Sequence, residues 1–174
     1  LMLRRITQLV LALPESKARR TWLFLDEVRD AAELDALPAF LTKARSKGGC
    51  AVLGYQDNDG MKQVYGNYLA EELMAMCSHK AILRLESPST AKWASSLFGE
   101  HERIELRESV NGGGPLRRGQ RTRSEQRVKA DVVMPSEFMS IPPTDSRNGL
   151  TGYYLTPFAS APFRDTAPLE EFVA

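Results

Sequence analysis

Two carboxylates stand side by side at Asp26-Glu27, directly after the apolar run Trp22-Leu23-Phe24-Leu25. Consecutive apolar residues suit a strand buried on both faces, as in a parallel sheet, and open α/β sheets bind ligands at the carboxyl ends of such strands. An Asp-Glu pair in that place has the form of a Walker B element. There the Asp helps hold a Mg²⁺ ion, usually through water, and the Glu polarises the water that attacks a γ-phosphate. Neighbours on a strand point to opposite sides, so the two would not duplicate each other. A second apolar run, Cys50-Ala51-Val52-Leu53-Gly54-Tyr55, ends in Gln56. Its amide offers both a donor and an acceptor to a phosphate or to its attacking water. The phosphate-cradling loop G-x-x-x-x-G-K-[ST] occurs nowhere in the 174 residues. The residues predict one wall of a nucleotide site, without the phosphate-binding wall.

Such tips need strands and helices in alternation to position them. Leu3, Ile6, Val10 and Leu13 recur at helical spacing, and a charged turn from Pro14 to Arg20 leads into the strand at 21–25. Leu34, Leu37, Leu41 and Ala44 share a helical face broken by Pro38, and Gly48-Gly49 terminates it. After the strand that ends in Gln56, a helix is expected over 61–76, then a third strand over 80–85. Ser87-Pro88 reads as an N-cap with proline in the first turn, opening a helix that runs to about Phe98 and stops at Gly99. This order predicts βαβ units around a mostly parallel sheet flanked by helices. Residues 104–110 and 127–133 are expected to pair as a hairpin, followed by a short helix at 135–139 and a final strand at 152–155. The expected division is one domain over 1–156 and a Pro-rich tail over 157–174 with little capacity for regular structure.

Composition excludes several classes. A chain of 174 residues supports one core, since a domain of about 150 residues buries roughly 70% of its unfolded surface. With 23 basic against 22 acidic side chains, the whole chain is no polycation, so contact with nucleic acid must be local. The basic loop from Arg117 to Arg127 lacks interleaved aromatic residues for base stacking and reads as a solvated surface loop. Cys50 and Cys77 read as buried thiols in a reducing compartment, and Trp22 and Trp93 as packing residues. His79 and His101 lack cysteines at ligand spacing, so no metal site is expected there. The first thirteen residues lack a signal-peptide cleavage site, no segment has the length and apolarity of a membrane span, and a start at leucine suggests a fragment or processed product.

Three stretches read together resemble one family. Trp22-Leu23-Phe24-Leu25-Asp26-Glu27, then Arg45-Ser46-Lys47-Gly48-Gly49 leading into the strand that ends at Gln56, then Pro88-Ser89-Thr90-Ala91-Lys92-Trp93-Ala94 follow the order seen in conjugative coupling proteins. These are the TraD/TraG class of type IV secretion ATPases, in the FtsK/HerA group of motors. Val133-Met134-Pro135-Ser136-Glu137-Phe138 resembles the segment that closes the motor. The resemblance implies an α/β fold with a RecA-like P-loop NTPase core whose Walker A half is missing here, and ATP and Mg²⁺ as the parent's ligands. Asp26 would serve on the Mg²⁺ side, Glu27 as the catalytic carboxylate, Gln56 as a γ-phosphate sensor, and Arg45 as a finger reaching the adjacent subunit's nucleotide. Lys47 is a weaker phosphate or interface candidate. Implied partners are single- or double-stranded DNA, a relaxase or nucleoprotein substrate, the type IV secretion channel and further copies in a homo-hexamer. The implied location is the cytoplasmic face of the bacterial inner membrane, and the chain alone is not expected to hydrolyse ATP. A non-catalytic assembly or DNA-docking module is the alternative of a different class.

Overall fold

The computed structural model describes residues 2–110 and 121–172. Helix α1 (Met2–Ala12) turns Thr7 and Val10 inward and lies against α2 (Leu37–Lys43). Between them in the chain runs β1 (Thr21–Leu25). The helix expected from Leu34 starts only at Leu37, because Pro38 is accommodated in the first turn, where its missing N–H is not needed. A 3₁₀ turn at Arg45–Lys47 ends at Gly48, which has φ of +81°. A side chain there would meet the Arg19 carbonyl oxygen at 2.2 Å, so the close crossing of the two segments requires glycine. Strand β2 (Gly49–Leu53) then pairs in parallel with β1, Thr21 opposite Gly49 and Leu25 opposite Leu53.

Helix α3 (Asn58–Met76) begins three residues before the expected start at Met61, because Asp57 caps it by accepting from the Gly60 N–H at 2.5 Å. It breaks at Gly66, whose φ of 73° and ψ of 166° are not helical. Strand β3 (Lys80–Ile82) is shorter than expected, and α4 (Pro88–Phe98) has the foreseen Ser87 cap and stops at Gly99. Strands β4 (Glu100–Val110) and β5 (Arg121–Asp131) form a long antiparallel hairpin that begins four residues earlier than the apolar alternation suggested. Of the basic loop, residues 117–120 lie outside the described residues. Short α5 (Pro135–Met139) and β6 (Leu150–Leu155) follow as expected in kind.

Two expectations about the sheet change. Among the described residues parallel pairing is confined to β1 and β2, whereas β3 pairs antiparallel with β6. The α2 crossover enforces the first arrangement, while the chain reaches β6 running the opposite way. The tail expected to be irregular contains β7 (Phe163–Ala167), paired with β6. Pro157, Pro162 and Pro168 flank this strand instead of interrupting it, so its ladder N–H groups are intact. Thr151 and Thr166 share a hydroxyl hydrogen bond of 2.8 Å across the pair, and Tyr154 stacks on Phe163.

Helices cover one face of the parallel pair. Leu25 and Leu53 pack on a core of Val28, Leu37, Met61, Leu73 and Met74, and Leu23 packs on Val10, Phe40 and Ala44. A further cluster joins Ile82, Phe98, Val133, Phe138, Ile141 and Tyr153, and Trp93 packs against both this cluster and the first. On the other face Trp22 is 56% and Phe24 70% exposed, their rings stacked with centroids 5.8 Å apart, and Val52 is exposed beside them. The expectation of a strand buried on both faces, with Trp22 as a packing residue, therefore fails. No described element lies over that face. Cys50 and Cys77 are half-buried, not fully buried.

Candidate active site at the carboxyl ends of the parallel strands

The parallel register carries Leu25 and Leu53 side by side, so whatever follows them meets at one end of the pair. Gly54 continues the ladder on both sides: its N–H donates to the Leu25 carbonyl at 2.8 Å, and its carbonyl accepts from the Val28 N–H at 2.9 Å. Asp26 and Glu27 are the two residues left over between these bonds, and they bulge from the strand end. Their divergence therefore does not arise from strand alternation. It arises at Glu27, whose φ of 50° lies in the left-handed region that non-glycine residues seldom occupy. Fully buried Val28 anchors the far side of the bulge, and the Asp30 N–H closes a turn on the Glu27 carbonyl at 3.0 Å.

That backbone turn aims the Glu27 carboxylate across the strand ends at Gln56. The Gln56 amide Nε2 donates to Glu27 Oε2 at 2.9 Å. Asp26 is exposed and accepts no hydrogen bond among the described residues. A Cβ at position 54 would lie 3.0 Å from Asp26 Oδ1, so glycine keeps room beside that carboxylate. Hard oxygen donors from Asp26 suit Mg²⁺, which binds through one or two carboxylates and keeps several waters. The phosphates find no such provision: the tip offers carboxylates, an amide and one arginine already paired with Asp57. These residues fit the metal side of a nucleotide site and not the phosphate cradle.

Beyond Gln56, a cavity of about 610 Å³ lies between the end of β2 at Leu53 and β3, with Gln56, Asp57, Lys80 and Trp93 in its walls. Tyr55 and Cys77 also border it. Burial pushes the Tyr55 hydroxyl up to about 12, with the neighbouring Cys77 adding to the shift, and burial likewise raises the Cys77 thiol.

Arg45 stands apart from the other three. It precedes β2 while Gln56 follows it, so the strand separates them by its whole length, about 3.3 Å per residue. The exposed Arg45 borders an open cleft of about 1020 Å³ together with Lys17, Arg20 and Lys43. Lys47 is engaged internally, its Nζ 3.8 Å from Glu15 and its carbonyl accepting from Arg19. His79 bonds Thr156 at 2.9 Å and lies against Phe158, His101 is exposed on the hairpin, and no cluster of metal-ligating side chains occurs among the described residues.

Sequence reasoning missed Gly54, Arg29 and Asp57. The signals were present: a glycine inside an apolar strand marks a close approach, and Asp57-Asn58-Asp59-Gly60 has the form of a helix start.

Comparison with known proteins agrees with this geometry. The family model described as the type IV secretion-system coupling protein DNA-binding domain matches residues 1–157. Coupling protein TraD of Escherichia coli strain K12 is 31% identical over 146 residues, spanning 83% of this chain and 20% of TraD. The unbound conjugative coupling protein TrwBΔN70 superposes with a TM-score of 0.77 at 29% identity, covering 97% of this chain and 36% of that one. TrwB in complex with ADP and Mg²⁺ gives 0.73 at 28% identity, covering 95% of this chain and 34% of that one. The α/β fold is thus RecA-like, with mixed sheets and flanking helices, and the chain spans about a fifth to a third of these relatives. With its family model matched over residues 1–157 and its carboxylate pair held at the ends of parallel strands, this chain belongs to the type IV secretion-system coupling proteins and lies within their DNA-binding domain.

Proposed function

We propose that the chain forms the Walker B wall of a motor that couples ATP hydrolysis to the transfer of DNA or a nucleoprotein through a type IV secretion channel. One observation carries this reading: the Glu27 carboxylate is bridged to the Gln56 amide at the carboxyl ends of the only parallel strand pair among the described residues, beside an unpartnered Asp26. An assembly module has no need of that constellation. Glu27 orients the attacking water as its proton acceptor, Gln56 holds that carboxylate and senses the phosphate, and Asp26 holds the metal side. When bound there, Mg²⁺ supplies neutralisation of the charge developing on the phosphate oxygens. Relatives solved with ADP and Mg²⁺, and with a non-hydrolysable ATP analogue, support these ligands for the parent protein.

Arg45 is exposed at the opposite end of β2 from its own chain's carboxylates, which suits service to a neighbouring copy. A guanidinium delivered across an interface raises phosphoryl-transfer rates by about 10³ to 10⁵. That arrangement implies a head-to-tail ring, a hexamer in this reading. The motor works at the cytoplasmic face of the inner membrane, and no described helix is long and apolar enough to cross it.

The experiment joins this chain to a P-loop-bearing half and measures DNA-stimulated ATP hydrolysis. Glu27→Gln is expected to abolish turnover while nucleotide binding persists. Turnover unchanged by that substitution overturns the role of Glu27. Arg45→Ala is expected to regain activity when mixed with subunits that keep Arg45 and carry Glu27→Gln.

A further inference from the structure

Glu27 and Gln56 sit on two separate strand tips, and a hydrogen bond between exposed side chains does not by itself hold two tips in register. A second link runs parallel to it. Arg29, two residues after Glu27, places its NH1 3.2 Å from Asp57 Oδ2, and Asp57 is the residue after Gln56. The Asp57 carboxylate is fixed in turn, because its other oxygen caps α3 through the Gly60 N–H at 2.5 Å. Arg29 also lies directly on Gly60: a Cβ at that position would fall 2.4 Å from Arg29 Cδ and 2.9 Å from its NH1. The guanidinium is thus seated in a notch that exists only because residue 60 is glycine. Asp30 is the remaining charged neighbour, 3.8 Å from Arg29 Nε.

We propose that Arg29 is a positioning residue, which locks the Glu27 tip to the rigid start of α3 through Asp57 and so sets the Glu27–Gln56 geometry. The proposal rests on the assignment of Glu27 as the residue that orients the attacking water. The pair is half-exposed, with side-chain exposures of 44% and 26%, and ion pairs in such places contribute little to stability. Misplacing a reacting group is far more costly: a displacement of about 1 Å lowers turnover on the order of 10²-fold. The Arg29 link should accordingly be visible in turnover and nearly silent in folding.

Gly60→Ala separates the two roles, since alanine is the better helix former yet its methyl group occupies the Arg29 notch. In the motor that carries the P-loop half, Gly60→Ala and Arg29→Ala are expected to lower kcat for ATP by about 10- to 100-fold with KM within about twofold. Arg29→Lys should restore part of the loss, because a single charged donor still reaches Asp57. Asp57→Asn, which keeps the helix cap, should fall between. In the 174-residue chain itself, NMR of the Gln56 side-chain amide should shift toward that of a free glutamine in Arg29→Ala and Gly60→Ala, while urea midpoints stay near that of the parent. Unchanged Gln56 signals together with kcat within twofold of the parent overturn the proposal. Turnover unchanged by Glu27→Gln would refute the Glu27 assignment instead, and the amide signals would still decide whether Arg29 couples the tips.

Discussion

Glu27 occupies left-handed backbone space without being glycine, and that has a measurable cost. The left-handed region disfavours L-residues by roughly 1–2 kcal/mol because Cβ crowds the following carbonyl. Glycine escapes that penalty but loses more chain entropy on folding, about 0.4–1 kcal/mol relative to alanine. Comparing Glu27→Gly with Glu27→Ala removes the carboxylate and the Gln56 hydrogen bond in both variants and leaves only the backbone difference. The glycine variant is therefore expected to be the more stable of the two by roughly 0.5–1 kcal/mol, the reverse of the usual order. With a urea slope of about 2 kcal/mol/M, its midpoint should lie about 0.3–0.5 M above that of the alanine variant. Ala32, with φ of 57°, supplies an independent check: Ala32→Gly should gain a similar amount. Equal midpoints, or a higher one for Glu27→Ala, would refute the claim that Glu27 is held in a costly conformation. Confirmation would mean that stability is given up here to aim a carboxylate.

Tyr55, ordinarily at 10.0 but raised to about 12 chiefly by burial, keeps its proton more tightly folded than unfolded. Its contribution is therefore complete below about pH 10 and lost as pH rises toward 12, a decline of about 2–3 kcal/mol in all. Tyr55→Phe should flatten that part of an alkaline urea-midpoint series, and an identical decline in the variant would exclude Tyr55 as the source. Phe138 is fully buried, with ring centroids 5.4 Å from Phe98 and 5.0 Å from Tyr153, so Phe138→Ala should cost about 3–5 kcal/mol in chemical denaturation. Phe24→Thr, on the uncovered face, should change stability by less than about 0.5 kcal/mol while reducing self-association in sedimentation velocity. Loss of several kcal/mol there would show that the face is covered after all.

The parts legible in sequence were those where local chemistry decides. Ser87-Pro88 and Gly99 bounded α4 because caps act through their own neighbours, and the strand ending in Leu25 and the strand ending near Gln56 were apparent from short apolar runs. The start of α3 is equally local, set at Asn58 by the Asp57 side chain, which accepts from the Gly60 N–H three residues on. Pairing direction was not local at all: nothing in Lys80–Ile82 reveals that its partner is Leu150–Leu155. The number of prolines in the tail says nothing of where they stand relative to a strand. They stand outside Phe163–Ala167, where they interrupt no ladder. Asp26, Glu27 and Gln56 were found as types at strand tips, but the bulge opposite Gly54 and the left-handed Glu27 depend on cross-strand bonds that no single segment encodes. Separation of Arg45 from Gln56 is already implied by chain order, since β2 lies between them, whereas its separation from Asp26 and Glu27 depends on the parallel register of β1 with β2.

The uncovered Trp22 also gives the chain an internal light source. It is one of two tryptophans, and it lies in water on the face that carries Phe24 and Val52, whereas Trp93 is half-buried between two apolar clusters. Any element that comes to cover the face must dehydrate Trp22 and leave Trp93 nearly untouched. Its emission should then move to shorter wavelength and resist quenching by dissolved iodide. Docking on this sheet can therefore be timed in a stopped-flow fluorimeter without a label, with Trp22→Phe as the dark control.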